Sequence, residues 1–154
     1  MAAFQTYSFL DVQATLTGPN VTVTIGNTSG TAEEGISIAF AEDQASTMIG
    51  ADGTGMHSIH AGQSGTVIVR LLKSSPTNAV LSAAYQADRQ VPSSGGQNTI
   101  VVSWLAGGHL YTCVQCVFVK FPDQSYAKDA ALLEWGFRAI RITPNLGTNP
   151  QTTL

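Results

Sequence analysis

The chain has 154 residues, of which 44% are hydrophobic and only 11% are Asp, Glu, Lys or Arg, and its formal net charge is -3. This length suits a single domain, which we expect to span residues 1–154 and to end in an extended tail over 143–154. Its seven basic residues are scattered and are outnumbered by ten acidic ones. The balance excludes a surface built to grip nucleic acid, which requires clustered Lys and Arg.

The charged fraction is well below the roughly 25% of an ordinary soluble domain. Charge keeps protein surfaces apart in solution, so we expect other copies of the chain to cover much of the exterior. The alternative is a small monomer solvated by its many Ser, Thr, Asn and Gln side chains. No apolar run approaches the roughly 20 residues of a membrane span, and no membrane partner is expected.

Alternating apolar and polar residues predict a series of β-strands. At 10–16 the apolar positions Leu10, Val12, Ala14 and Leu16 share one face, and 21–25 alternates in the same way after a turn at Gly18-Pro19-Asn20. The same signal predicts strands at 35–40, 66–72, 99–104, 110–120 and 132–142. Several of these are apolar on both faces, so a second layer or a partner is expected to cover them.

One segment, at about 75–89, carries a helical pattern instead. Ser75 is placed as an N-cap and Pro76 as the first helical residue. Four apolar residues follow at helical spacing: Val80, Leu81, Ala84 and Tyr85. The order of elements predicts a mainly β fold, an antiparallel β-sandwich or barrel with one short flanking α-helix.

The stretch at 50–67, GADGTGMHSIHAGQSGTV, contains candidate metal ligands and a candidate nucleotide loop. His57 and His60 are three residues apart, so a strand would send them to opposite faces. The position of the third glycine of a dinucleotide fingerprint is Ser58, and the phosphate-loop Gly-Lys-Ser/Thr is missing. An Asp-Gly pair between apolar runs instead indicates the turn of a hairpin, and no metal or cofactor is predicted.

No catalytic set emerges from the remaining motifs. Cys113 and Cys116 lie in a predicted strand, where an offset of three should point the two sulfurs to opposite faces, and we interpret them as buried reduced cysteines. Ser64 lacks the final glycine of G-x-S-x-G. Ser125 and Lys128 fit S-x-x-K without the partner motifs of that class of enzyme. We therefore expect a protein that is not an enzyme.

Three stretches resemble the tail tube protein of long-tailed bacteriophages, particularly contractile-tailed ones. They read YSFLDVQATLTGPN, AEEGISIAFAEDQASTMIGADGTGMHSIHAGQSGTVIVRLLKSSPTNAVLSAAY and YAKDAALLEWGFRAIRI. The similarity runs over about 4–142 and is most specific at 46–85. It implies a structural subunit that polymerises as stacked hexameric rings into the hollow tail tube. Genome DNA would pass through the lumen, without specific binding, when it is ejected into the host.

The resemblance also implies partners, a location and a contact site. The partners are copies of the same chain and the tail sheath, baseplate and tape-measure proteins. The protein would be part of the virion, assembled in the cytoplasm of the host bacterium. The family has no catalytic, cofactor-binding or metal-binding residues to transfer. The tip of the long hairpin is expected to contact a neighbouring subunit through four residues: Met56, His57, Ile59 and His60.

Two other functions fit the sequence. The first is the tube subunit of a phage-derived contractile particle, either a bacteriocin or a secretion apparatus. The second is a small β-sandwich module that binds carbohydrate, which would normally expose aromatic rings in a groove. Trp104 and Trp135 lie within apolar strands, where we expect them to serve the core.

Overall fold

The computed structural model of the chain describes residues 3–26, 31–149 and 152–153. These residues form eleven β-strands and one α-helix. The elements are β1 (Ala3–Phe4), β2 (Val12–Gly18), β3 (Val21–Gly26), β4 (Thr31–Phe40), β5 (Ala45–Ile49), β6 (Gly55–Ile59), β7 (Gly65–Leu71), α1 (Thr77–Gln90), β8 (Asn98–Trp104), β9 (His109–Lys120), β10 (Leu133–Asn145) and β11 (Thr152–Thr153). The predicted mainly β class with one flanking helix is confirmed.

Seven strands form a single antiparallel sheet in the order β3-β2-β8-β9-β10-β7-β4. The sheet curls into a half-barrel, as expected of long strands with the usual right-handed twist. The remaining strands pair separately, β1 with β11 and β5 with β6. Sequence alternation fixes which face is buried: in β7, Gly65, Val67, Val69 and Leu71 are buried while the residues between them are half-buried.

The hydrophobic core lies between one face of this sheet and α1. Trp135 and Phe137 of β10 are fully enclosed, and Leu81 and Ala84 of α1 pack into the same cluster. Trp135 also donates a hydrogen bond from Nε1 to Asn78 Oδ1 of the helix at 3.0 Å. Each fully buried large apolar side chain contributes about 1.5–3 kcal/mol, so the helix is held mainly by this packing.

Helix α1 begins slightly later than predicted. Ser75 precedes it and accepts a hydrogen bond from the backbone N–H of Thr77 at 3.3 Å, and Pro76 occupies the cap position. Val80, expected on the buried face, is instead exposed, and Thr77 is buried. At 14 residues the helix is short, and no helix in the described ranges is long and apolar enough to cross a membrane.

Two segments near the chain ends bear on the predicted boundaries. Leu10 is expected on the buried face of the first long strand, but it lies in a short 3-10 turn at Phe9–Asp11 and is 69% exposed. The turn bends the chain before β2 begins, so the alternation does not extend back to this residue. Residues Thr143 to Asn145 continue β10, and β11 pairs with β1; the division into one domain with a tail over 143–154 stays a prediction.

One row of paired residues, which crosses five strands of the sheet, marks the boundary between the two ends of the sheet. Phe40 pairs with Gly65, Gly65 with Ala139, Ala139 with Cys116, and Cys116 with Asn98. The chain leaves the sheet on one side of this row, beyond the end of β4. The last four residues of β9 lie on the other side of it.

Candidate interaction surface

Residues 41–62 form an arm that projects from the sheet, and all of them are exposed. The arm starts where β4 ends and returns to the start of β7, and a hydrogen bond from Ala41 N to Ser64 O at 3.0 Å closes its base. Its distal part is the hairpin of β5 and β6. The hairpin interpretation of the glycine-rich stretch is therefore confirmed.

The turn of the arm is held by its own hydrogen bonds. Gly53 N donates to Gly50 O at 3.0 Å, and Gly50 N donates to Thr54 O at 2.7 Å. Gly53 has a φ of 88°, a conformation that favours glycine. Asp52 Oδ1 accepts from Thr54 N at 3.0 Å, and the hydrogen bonds from the Thr54 side chain and backbone lower the pKa of Asp52. The tip therefore carries a negative charge at neutral pH.

Both faces of the arm carry exposed apolar side chains. Met48 pairs with Met56 on one face. Residues alternate between faces along a strand, so Ile49 and Ile59 lie on the other. Their exposed fractions run from 60% for Met56 to 81% for Ile59. Large apolar side chains this exposed on both sides of a two-stranded ribbon indicate a surface that a partner covers.

The four predicted contact residues all lie on this arm. Met56 is on one face, and His57 and Ile59 are on the other. His57 Nδ1 is 2.8 Å from Thr47 Oγ1 on the facing strand. His60 follows β6, and its backbone N–H donates to Gln44 O at 2.9 Å. Their role in contacts between subunits stays a prediction.

Sequence reasoning missed the partners of these residues on the opposite strand. Met48 and Ile49 are adjacent in the sequence, so they do not show the alternation that marks a strand. The signal was the distance from the turn: positions 48 and 56 are both four residues from Asp52. Counting outward from Asp52 places Met48 opposite Met56, whereas counting from the Asp-Gly pair as a whole would have given a register one residue off.

The two cysteines differ from expectation. Cys113 and Cys116 are both buried in the core, and Cys116 Sγ donates to Cys113 O at 3.4 Å. Opposite faces were predicted, but Gln115 adopts a φ of 54° and the register with β8 shifts at this point. Such a bulge adds one residue, so an offset of three returns the chain to the same face. Burial raises the pKa of Cys113 to about 11 and that of Cys116 to about 12.

The other candidate reactive groups are not assembled into a site. Ser64 is half-buried and is followed directly by β7, not by a helix. Ser125 and Lys128 lie in an exposed loop. Over the described ranges, no three His, Cys, Asp or Glu side chains come close enough together to hold a metal ion.

The two tryptophans have different environments. Trp135 is 1% exposed. Trp104 is half-buried at the end of β8, with Tyr7 and His109 packed against it edge-to-face at centroid distances of 5.2 and 4.8 Å. His109 Nε2 lies 2.5 Å from Asn149 Oδ1. Trp104 therefore lines a groove with other aromatic side chains, held edge-to-face by Tyr7 and His109.

Comparison with known proteins identifies the class. A sequence profile described as Bacteriophage PhiTE tail tube protein matches residues 4–147. The match defines a phage tail tube protein, a structural component of the virion tail. The chain belongs to this Bacteriophage PhiTE tail tube family. No curated protein sequence matches it significantly.

Solved structures with a similar fold come from contractile particles. One is the sheath–tube complex of an extracellular contractile injection system (PVC) in the extended state, with 12% identity, a TM-score of 0.53, and coverage of 87% of this chain and 88% of that one. Another is the sheath/tube terminator of a PVC system, with 14% identity, a TM-score of 0.55, and coverage of 94% of this chain and 99% of that one. A third is the anti-feeding prophage baseplate, 6-fold symmetrised, with 12% identity, a TM-score of 0.54, and coverage of 96% of this chain and 98% of that one. At these identities the likeness concerns the fold alone.

Proposed function

We propose that this tail tube subunit polymerises with copies of itself as stacked hexameric rings, which form the hollow conduit for DNA ejection into the host. The observation that carries the proposal is the arm at residues 41–62, which is apolar on both faces and exposed throughout. The 6-fold symmetrised assembly among the structures of similar fold supports six copies per ring.

Simple energetics favour several contacts per subunit. Fully burying a Met or Ile side chain contributes about 1.5–3 kcal/mol. Association costs about 4–15 kcal/mol in lost translational and rotational freedom. The four exposed apolar side chains of the arm roughly offset that cost without exceeding it by much. A subunit that also touches neighbours within its ring gains further contacts without a further loss of this freedom.

The edges of the sheet offer the second kind of contact. β3 and β4 are the outermost strands, and each has one side without a strand partner in the described part of the chain. Unpaired strand edges readily pair with another chain. We propose that edges of adjacent copies meet within the ring. Closing the sheets into a continuous wall would satisfy their free backbone groups.

The charge distribution suits passage of DNA without binding. The net charge of -3 repeats in every copy. Arg70 on the outer face of the sheet is paired with Glu134 at 3.3 Å, and Arg141 donates to Gln63 Oε1 at 3.0 Å. A wall that carries few free cations does not displace the counterions of the duplex. DNA can then slide past it.

We further propose that the tube contacts the tail sheath, the baseplate and the tape-measure protein, and that it assembles in the host bacterial cytoplasm. Sheath–tube, terminator and baseplate assemblies among the structures of similar fold support the first two partners. The whole chain acts as one structural domain and catalyses no reaction.

The second candidate is the tube of a phage-derived contractile particle. The likeness of the fold to an extracellular injection system and to an anti-feeding prophage supports it. Both candidates require the same tube, and the neighbouring genes distinguish them: a phage also encodes a capsid and a terminase. A carbohydrate-binding module is less well supported, because the family match over residues 4–147 is to a tail tube protein and Trp135 is buried.

Sedimentation velocity tests assembly through the arm. We expect the wild-type protein to form large particles and the Met56→Asp/Ile59→Asp variant to sediment as small soluble species, no larger than a single ring, with unchanged thermal stability. Leu105→Asp is a suitable control, because Leu105 is 68% exposed in a turn outside the arm. Unimpaired assembly of the double variant would refute the role of the arm. A wild-type protein that stays monomeric at millimolar concentration would refute the proposed function.

A further inference from the structure

We propose that the tip of the arm of one copy docks in a groove between α1 and β9 of the next copy along the tube. This inference rests on the proposed function, since it requires that copies stack. It identifies the surface that receives the arm, which neither the family match nor the fold assigns.

The groove has a volume of about 440 Å³. One wall is the last turn of α1, with Tyr85, Asp88 and Arg89, and the other is β9, with Val117 and Val119. Val117 and Val119 alternate with Phe118, whose ring packs on that of Tyr85 at 5.8 Å, so the valine side chains lie on the face away from α1. The apolar side chains on the groove's own face are Tyr85 and Phe118, beside which Met48 or Ile49 could pack.

A free strand edge borders the same groove. β8 pairs with β9 only as far as Cys116, opposite Asn98. Beyond it, residues 117–120 of β9 have a strand neighbour on the β10 side alone within the described residues. Backbone N–H and C=O groups on such an edge can accept an extended segment. A hairpin is the form of chain best suited to pair there.

Charge complementarity singles out the arm as the occupant. Arg89 lies over the Tyr85 ring at 5.8 Å, and it forms no ion pair in the described part of the chain. Asp88 also lines the groove and keeps its charge, but both of its oxygens accept from neutral amides, from Asn20 at 2.9 Å and from Asn98 at 3.4 Å. The groove thus offers one cation without an ion-pair partner, Arg89, beside the Tyr85 ring. The tip of the arm offers one anion, Asp52, beside Met48 and Ile49.

The base of the arm and the groove lie at opposite ends of the sheet, as a stack of copies requires. The arm leaves the row of paired residues Phe40, Gly65, Ala139 and Cys116 on one side, and residues 117–120 lie on the opposite side. With about 3.3 Å per residue, the nine residues from Ala41 to Ile49 can reach up to about 30 Å. An arm at one end that fits a groove at the other end is a heterologous contact. Repeated between copies, it does not close and so extends a stack.

Charge variants test the contact, and Asp52→Asn also preserves the turn. Asp52→Asn keeps an oxygen that can accept from Thr54 N but removes the charge. Asp52→Asn and Arg89→Glu should each raise the concentration needed for half-maximal tube formation about fivefold or more. Asp52→Lys combined with Arg89→Glu should form tubes at a lower concentration than Asp52→Lys alone, which has lost the same hydrogen bond from Thr54 N. Asp129→Asn, on an exposed loop, should have no effect. Absence of rescue by the reversed pair would overturn the docking.

Cross-linking between two singly labelled proteins tests proximity directly. Ala51→Cys at the tip and Gln90→Cys at the end of α1 leave both charged residues in place, and the native thiols are buried. Mixed tubes should yield a disulfide-linked dimer of the two variants. Ala51→Cys mixed with Leu105→Cys, at an exposed turn outside the arm and the groove, should not. If wild-type tubes form but the first pair gives no adduct, the docking is wrong and the proposed function stands; if wild-type protein forms no tubes, both fail.

Discussion

Met48 and Met56 lie directly opposite each other on β5 and β6, and most of each side chain is exposed, 69% of Met48 and 60% of Met56. Ile49 and Ile59 occupy the other face of the same hairpin. A monomer gains nothing from exposing four large apolar side chains on one ribbon. Their arrangement therefore points to contacts on both faces in the assembled tube.

Removing the apolar side chains of either face should weaken assembly without affecting the subunit. We expect Met48→Ser/Met56→Ser and Ile49→Ser/Ile59→Ser each to raise the assembly concentration by about tenfold or more, because each lost side chain is worth about 1.5–3 kcal/mol when buried. Sedimentation measures assembly, and circular dichroism measures the melting temperature. If one pair has no effect, that face of the arm is free in the tube.

The native thiols should be nearly inert in the folded protein. Only the thiolate reacts, and the raised pKa values of about 11 and 12 leave very little thiolate at pH 8. Titration with a thiol reagent at pH 8 should label no cysteine in native protein and two in denatured protein. Rapid labelling of native Cys113 or Cys116 would contradict their placement in the core.

The same two groups should make the fold sensitive to alkali. Their folded pKa values lie above the ordinary value of 9.0, so the stability they support is fully present below pH 9. It is lost as the pH rises towards 11 and 12. The melting temperature should fall over this range, and Cys113→Ala/Cys116→Ala should show a smaller fall. If the melting temperature falls equally steeply with pH in the wild-type protein and in the double variant, groups other than the two cysteines cause the loss of stability in alkali.

Gly65, where the arm joins β7, should tolerate no side chain. An added Cβ would lie 2.4 Å from both Ala39 O and Ile142 Cδ1, and the backbone oxygen cannot move aside. Gly65→Ala should destabilise the subunit by about 1–3 kcal/mol in urea denaturation. Gly136→Ala is the matched control, since its Cβ would meet nothing closer than 3.8 Å. Equal costs for both variants would show that the close approach at Gly65 is unimportant.

Assembled tubes should not retain DNA. The net charge is negative, and Arg70 is neutralised by Glu134. In a sedimentation assay at about 0.15 M salt, where charges are screened beyond about 8 Å, short duplex DNA should stay in the supernatant. DNA that pellets with tubes at this salt concentration, and that is released at higher concentrations, would reveal a basic wall.

Most of the fold follows from the sequence because alternation is a local property. Val12, Ala14 and Leu16 are buried as the period of two predicts, and Leu81 and Ala84 are buried as the helical period predicts. The prediction for Leu10 was wrong because a 3-10 turn interrupts the strand. The prediction for Val80 was wrong because tertiary packing placed Thr77, not Val80, on the buried face.

The candidate surface was only partly predictable. The Asp-Gly turn located the hairpin, but the position of Met48 opposite Met56 could be assigned only when the register of the two strands was known. The positions of Cys113 and Cys116 depended on the backbone of Gln115, whose left-handed conformation has no marker in the sequence. The groove beside Arg89 depends on where β8 begins relative to β9, which is a property of the sheet and not of any single segment.

Electron microscopy of the purified protein in negative stain tests the central claim most directly, because it shows whether copies of this chain alone build a tube. We predict hollow rods or stacked rings with a visible central channel. A field of small dispersed particles at the same concentration, with no rings or rods, would contradict the account.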